Sequence, residues 1–222
     1  MYIPSEMLSN VVDYTPGAFW LMCRYYQYDY MIKQYSDNIC ELAAKYGHLD
    51  CLRYAHENGC KWDINTCTYA AMNGHFECLR YARKHGCKWD AMICSYAAMN
   101  GHLDCLRYAH ENGCKWDDRT CSRAAKNGHL DCLKYAHENG CQWGNSTCDY
   151  AAKNGHLECL RYAHEHGCYW DEYTCYYATC NGYIDCLIYA HSHGCKLNTS
   201  ICFDNPKNGY IACLNYIHNV VN

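Results

Sequence analysis

The chain has 222 residues, a net charge of -4 and 50% hydrophobic residues, a balance that excludes the basic excess of a nucleic-acid binder. No run of 18 or more apolar residues reads as a membrane span. The opening Met1-Tyr2-Ile3-Pro4-Ser5-Glu6 lacks the charged and apolar regions of a secretory leader, so a cytoplasmic chain with neither nucleic acid nor membrane as partner is expected.

Residues 1–35 stand apart from the rest of the chain. Pro4 suits a first helical turn and Glu6 favours the positive helix N-terminus. Ile3, Met7, Leu8, Val11 and Val12 then recur at helical spacing. Thr15-Pro16-Gly17 stops this helix, and the apolar stretch Ala18–Tyr35 predicts one or two more. Such a segment is expected to cap the exposed end of a stacked array.

From Ser36 one pattern, best seen as NGHLDCLRYAHENGCKWD at 100–117, recurs every 27 residues. A period of this size is the mark of a repeat architecture. Seven repeats are predicted, at 36–62, 63–89, 90–116, 117–143, 144–170, 171–197 and a degenerate, capping 198–222. Each reads as helix A, tight turn, helix B, tight turn. Asp63, Asp90, Asp117 and Asp171 stand at N-cap positions, with Ser36 and Asn198 in the outer repeats. Helix A comes next, as at 64–73, and Gly74 ends it with a positive φ. Helix B, near 76–85, closes on Gly86, and Cys87-Lys88-Trp89 leads straight into the next cap. This leaves no room for strands, so the fold is expected to be all-α, a solenoid of helix-turn-helix repeats.

The packed stripe of helix A is predicted from Cys67, Ala70 and Ala71 at i, i+3, i+4. That of helix B is predicted from Phe76, Leu79 and Ala82, with Cys78 at its border. The tryptophans at 62, 89, 116, 143 and 170 are expected to seal neighbouring repeats. In the last repeat Asn205 and Pro206 replace the paired alanines, and Pro206 should bend or shorten its helix A.

Twenty of the 22 cysteines fall in three columns of the repeat, typified by Cys67, Cys78 and Cys87. Equivalent positions of packed helices lie about 8–10 Å apart, beyond the ~7 Å Cα reach of a disulfide. Reduced core thiols are therefore expected. Metal binding is not: in the Cys51-x4-His56-x3-Cys60 pattern, Cys51 and His56 diverge by about 140° around a helix, and Arg83 replaces the histidine in the second repeat. No C-x2-C pair, nucleophile elbow or phosphate loop occurs, so no catalytic residue, metal or cofactor is assigned. The Gly-His dipeptides are expected to tie the A–B turns by hydrogen bonds.

Positions that differ from copy to copy mark the candidate partner-binding face. In helix A they follow i, i+3, i+7: Asn65, Thr68 and Met72; Met92, Ser95 and Met99; Arg119, Ser122 and Lys126; Ser146, Asp149 and Lys153; Tyr173, Tyr176 and Cys180. Side by side they would form a ribbon running from methionine through basic residues to tyrosine. Tyrosine, methionine and arginine are enriched at interface cores.

The string A-A-x-N-G-H-L-[DE]-C-L-[RK]-Y-A-H-E-x-G-C resembles the ankyrin repeat, with Cys67 at the leucine of the family's T-P-L-H, Ala70-Ala71 at its alanines, Gly74-His75 at its Gly-His and Gly86-Cys87 at its closing Gly-Ala. The resemblance covers residues 36–222 and implies a protein-binding solenoid whose partner it does not name. An ankyrin repeat has about 33 residues. The six missing here fall where the family carries its β-hairpin finger, so that finger is expected to be absent. Residues 3–14, I-P-S-E-M-L-x-x-V-x-x-Y, resemble the opening of an F-box, and Met22-Cys23-Arg24 with Tyr25-Tyr26 resembles its later segment. This resemblance implies that Ile3, Pro4, Glu6, Leu8 and Val11 dock on a Skp-type adaptor of a cullin ubiquitin ligase, the alternative being a plain cap. Short cysteine-rich repeats of this kind are similar to those of large DNA viruses of amoebae, which implies a host-cytoplasmic or virion-associated assembly protein as a further reading.

Overall fold

The computed structural model describes residues 38–89, 92–117, 119–144, 146–197 and 209–221. The cap at 1–35, its F-box-like residues, Ser36, Asp90, Asn198, Asn205 and Pro206 lie outside them. The chain divides after Asp90 into two units. In the first, α1 (Ile39–Tyr46) and α2 (Leu49–Glu57) form one helix pair, α3 (Ile64–Met72) and α4 (Phe76–Lys84) the next. In the second, the pairs are α5 (Met92–Met99) with α6 (Leu103–Glu111), α7 (Thr120–Lys126) with α8 (Leu130–Glu138), α9 (Thr147–Lys153) with α10 (Leu157–Glu165), and α11 (Glu172–Asn181) with α12 (Ile184–Ser192). Helix α13 (Tyr210–Val221) stands where the seventh helix B is expected. The described residues contain no strand, so the fold is all-α without a hairpin finger.

The two glycine series have one cause. Gly47, with φ 75°, donates its N–H to the Ala44 carbonyl, while the His48 N–H reaches the Ala43 carbonyl at 2.8 Å. Gly59 and Cys60 repeat the pattern on His56 and Ala55, each at 3.0 Å. This paired closure consumes the last carbonyls of both helices and requires a left-handed residue. Helix starts vary more. Asp63 accepts from the N–H groups of Asn65 and Thr66 at 2.9 and 3.2 Å, and Asp171 from that of Tyr173 at 2.9 Å. Asp117 holds the Arg119 N–H and the Thr120 hydroxyl, and α7 begins only at Thr120. In the fifth repeat Gly144 stands at the cap place, and its carbonyl accepts from Thr147 instead.

Within each unit like helices pack on like: α1 on α3 and α2 on α4; then α5, α7, α9 and α11 in one row, with α6, α8, α10 and α12 in another. Cys67, Ala70 and Ala71 are wholly buried, as are Leu79 and Ala82, so both predicted stripes exist. Phe76 is only partly covered, because it opens its helix at the edge of the stripe. A further column, Thr66, Ile93, Thr120, Thr147 and Thr174, is also buried.

Eighteen described cysteines are free and buried, so no bridge joins any of these along a column. Cys51 and Cys180 each take part in a separate disulfide, which corrects the expectation of uniformly reduced thiols. Cys180 stands outside the three columns, and Cys51 heads its own, so the spacing argument against column bridges does not protect either one. The thiols at the two ends of a repeat hydrogen-bond each other, as Cys67 with Cys87 and Cys148 with Cys168. The closing thiol also donates to the carbonyl of its own repeat's cap: Cys87 to Asp63 at 3.2 Å and Cys195 to Asp171 at 3.0 Å.

Tryptophan does seal neighbouring repeats, with a partner the sequence did not suggest. Trp62 stacks on His56 at 3.7 Å and meets Tyr81 of the next repeat edge-on at 6.0 Å. Trp143 does the same with His137 and Tyr162, and its Nε1–H donates to the His166 carbonyl at 3.1 Å. The Gly-His reading needs correction. His75 reaches back to the Lys45 carbonyl of the preceding repeat rather than bracing its own turn, because its ring projects over the neighbour's Gly47, where no side chain stands.

Candidate partner-binding surface

Helix A presents the candidate face, so its register decides what is exposed. Successive residues turn by about 100°, which places i+7 almost over i and i+3 some 60° to one side. That side leans toward the neighbouring helix A. The middle members of two trios are therefore covered: Ser95 is wholly buried and Ser122 nearly so. The Arg123 guanidinium donates to Ser95 Oγ at 2.8 Å. Both serines support the surface from beneath, which corrects their assignment to the open face.

In the second unit the outer members stand free of that cover. Arg119, Lys126, Lys153 and Tyr173 are exposed, while Met92, Met99, Ser146, Asp149 and Tyr176 are half-buried. Arg119 extends over Met92, with Nη2 3.0 Å from Sδ, and holds Asp117 Oδ2 through Nε at 3.1 Å. Tyr173, Tyr176 and Tyr177 cluster edge to face, Tyr176 and Tyr177 at 5.6 Å. In the first unit Asn65 Nδ2 is bonded to Asp63 and the Thr68 hydroxyl to the Ile64 carbonyl, with Met72 half-buried beside them.

A column rich in tyrosine also belongs to this face. Tyr69, Tyr96, Arg123, Tyr150 and Tyr177 occupy one place in successive repeats. A cation from a neighbouring helix A covers each tyrosine: Lys45 over Tyr69 at 5.7 Å in the first unit, then Arg123 over Tyr96, Lys126 over Tyr150 and Lys153 over Tyr177 at 5.2, 5.6 and 5.1 Å. The i, i+3, i+7 selection passed over this column, which lies one residue beyond its middle members. The available signal was a large amphipathic ring in a helix whose packed stripe is cysteine and alanine.

Electrostatically the row is cationic and aromatic with one embedded acid. Asp149 Oδ1 accepts from the buried Thr174 hydroxyl at 2.6 Å. Burial holds the Asp149 carboxyl above the usual carboxylate range, against the pull of that hydrogen bond. Burial likewise pushes the Tyr177 phenol up, with Asp149 adding to it, so the ring is neutral at physiological pH. Among the described residues no group of three or more His, Cys, Asp or Glu side chains is placed to hold a metal ion. No described helix is long and apolar enough to cross a membrane.

Paired short helices, stacked like on like within each unit and offering a row of solvent-facing side chains, define a helical repeat scaffold. Models of ankyrin repeats match residues 40–120, as three copies, and residues 121–164, as many copies. Together they span more than half of the chain, which belongs to the ankyrin-repeat family. The crystal structure of the human ASB11 ankyrin repeat domain superposes with a TM-score of 0.63 over 79% of this chain and 96% of its own, at 16% identity. That is a likeness of fold. No curated protein sequence matches the chain.

Proposed function

We propose that the chain is a protein-interaction module that captures a protein partner on the helix A face of its repeats. The observation that carries this reading is the exposed row of Arg119, Lys126, Tyr150, Lys153 and Tyr173. Large aromatic and basic side chains are held at the surface there, although the fold does not need them for its core. The domain reading that goes with it is a cap at 1–35 ahead of seven repeats at 36–222. Asn65, Thr68 and Met72 serve the same face of their own unit. Replacing Met92, Met99, Arg119, Tyr173 and Tyr176 together with alanine is expected to abolish partner capture by proximity labelling and pull-down, with helicity unchanged. Undiminished capture would refute the assignment.

A second reading rests on the F-box resemblance of residues 3–26. In it Ile3, Pro4, Glu6, Leu8 and Val11 bind a Skp-type adaptor in the cytoplasm, and the repeats hold the substrate of a ubiquitin ligase. Co-purification of that adaptor, lost on Pro4→Ala with Leu8→Ala, tests it. A viral assembly role, drawn from the likeness of the repeats to viral ones, is tested by recovery of the chain from purified particles.

A further inference from the structure

Away from the helix A face, a cleft of about 300 Å³ opens between α2 and α4, lined by Arg53, Glu77, Arg80, Tyr81, Lys84 and His85. Three cations face one carboxylate there. Glu77 is already paired with Arg80, and Glu57 is the further acid acting on the Tyr81 ring, which leaves the cleft with a net positive charge. Arg53 lies over the Tyr81 ring at 5.5 Å, and His85 Nδ1 is hydrogen-bonded to the Tyr81 carbonyl at 2.9 Å. Both walls are thereby fixed in direction.

The charge is peculiar to this repeat. The position of Lys84 is filled by Glu57, Glu111, Glu138 and Glu165 in other copies. At the equivalent positions on α6 and α8, Arg107 and Lys134 are matched by Asp131 and Glu138. Lysine in place of glutamate thus makes this surface cationic where the α6–α8 surface is balanced, and packing does not impose the difference because the side chain is exposed.

We propose that this cleft binds a phosphomonoester carried on a phosphorylated side chain of a protein partner. A guanidinium offers paired donors to phosphate oxygens and a lysine adds a point charge, the arrangement by which basic clusters recognise phosphorylated segments. The cleft lies open on the helix surface and is walled by polar groups, whereas a free small molecule is ordinarily held in an enclosed, mostly apolar pocket. The phosphate therefore arrives attached to a larger chain that remains outside.

The test is fluorescence anisotropy on the full chain. The probe is a labelled Gly-Ser peptide with one central phosphoserine, compared with its unphosphorylated form. The phosphopeptide is expected to bind at least about tenfold more tightly, with an advantage that falls as salt rises. Lys84→Glu, which installs the residue the other repeats carry, should remove that preference with circular dichroism unchanged. Glu138→Lys should create a second site and raise the stoichiometry. Equal binding of the two peptides, or a preference that survives Lys84→Glu, would overturn the site. Inorganic phosphate binding as tightly as the phosphopeptide would overturn its assignment to a partner's side chain.

Discussion

The imidazole of His75 lies where a side chain on Gly47 would have to be: a Cβ built there would come 2.5 Å from its Nδ1, while its Nε2 sits 3.1 Å from the Lys45 carbonyl oxygen. Gly128 stands in the same relation to His156 at 2.6 Å, and Gly155 to the Tyr183 ring. The A–B glycine is thus required twice, for its φ and for the ring of the next repeat. The B–A glycine is required once, since nothing lies within 4 Å of a Cβ at Gly140. Gly140→Ala should cost about 1–2 kcal/mol through its left-handed backbone alone. Gly128→Ala should cost roughly 2–4 kcal/mol, as strain and lost inter-repeat packing add. Urea titrations of the full chain measure both, and equal losses would remove the imidazole from the account.

Acid should loosen the stack. Burial is the first cause that holds His56, His137 and His164 below the ordinary histidine value, and the neighbouring His85, His166 and His193 add to it. Burial also lowers His75 and His156, against the raising effect of their backbone hydrogen bonds. In each case the unfolded chain takes up the proton first. The contribution is therefore complete above the unfolded value near 6.5 and is lost as pH falls through it toward the folded value. The melting temperature should be level between pH 7.5 and 8.5 and fall by several degrees (~5 °C) by pH 5.5. A melting temperature unchanged at pH 5.5 would contradict the placement of these rings.

Periodicity carried most of this fold because each repeat is the same local solution written again. The positions of Cys67, Ala70 and Leu79 disclosed which faces pack, and Gly74 and Gly86 where helices end. What stayed hidden concerns pairs of repeats. A 27-residue period names the residue that recurs, yet it does not say that His75 belongs over Gly47 or that Trp62 takes His56 as its stacking partner. The exposed side of helix A was legible in part for the same reason. Variation picked out Arg119, Lys126 and Tyr173, which are exposed. It misplaced Ser95, whose exposure depends on the lean of one helix toward the next, and it passed over Tyr150 and Tyr177, which lie one residue beyond the spacing it followed.

The paired thiols should react in a fixed order. Burial pushes Cys78, Cys132, Cys159 and Cys186 up to about 12. Cys67, Cys148 and Cys175 are raised further, chiefly because each donates to the closing thiol of its own repeat, while Cys87, Cys168 and Cys195 are lowered by accepting that bond. Only the thiolate alkylates. Because all six are buried, iodoacetamide at pH 8, followed by peptide mass spectrometry, should act slowly, through transient opening, and label Cys87, Cys168 and Cys195 ahead of their partners Cys67, Cys148 and Cys175. The helix thiols should follow only in denaturant. Early labelling of Cys148 ahead of Cys168 would reverse the donor assignment.

Asp149 separates a working surface from a drifting one. Its carboxylate is half-buried in the helix A row and raised by that burial, so its charge opposes folding above the ordinary carboxylate range and ceases to do so as acid neutralises it. Asp149→Asn keeps an oxygen for the Thr174 hydroxyl and removes the charge. At pH 7 it should therefore raise the melting temperature, with the gain shrinking as pH falls through the carboxylate range. A residue kept at such a cost is expected to serve binding, and capture of the partner should weaken in the same variant. A variant that is more stable and captures its partner undiminished would remove Asp149 from the interface and leave the face to its tyrosines and cations.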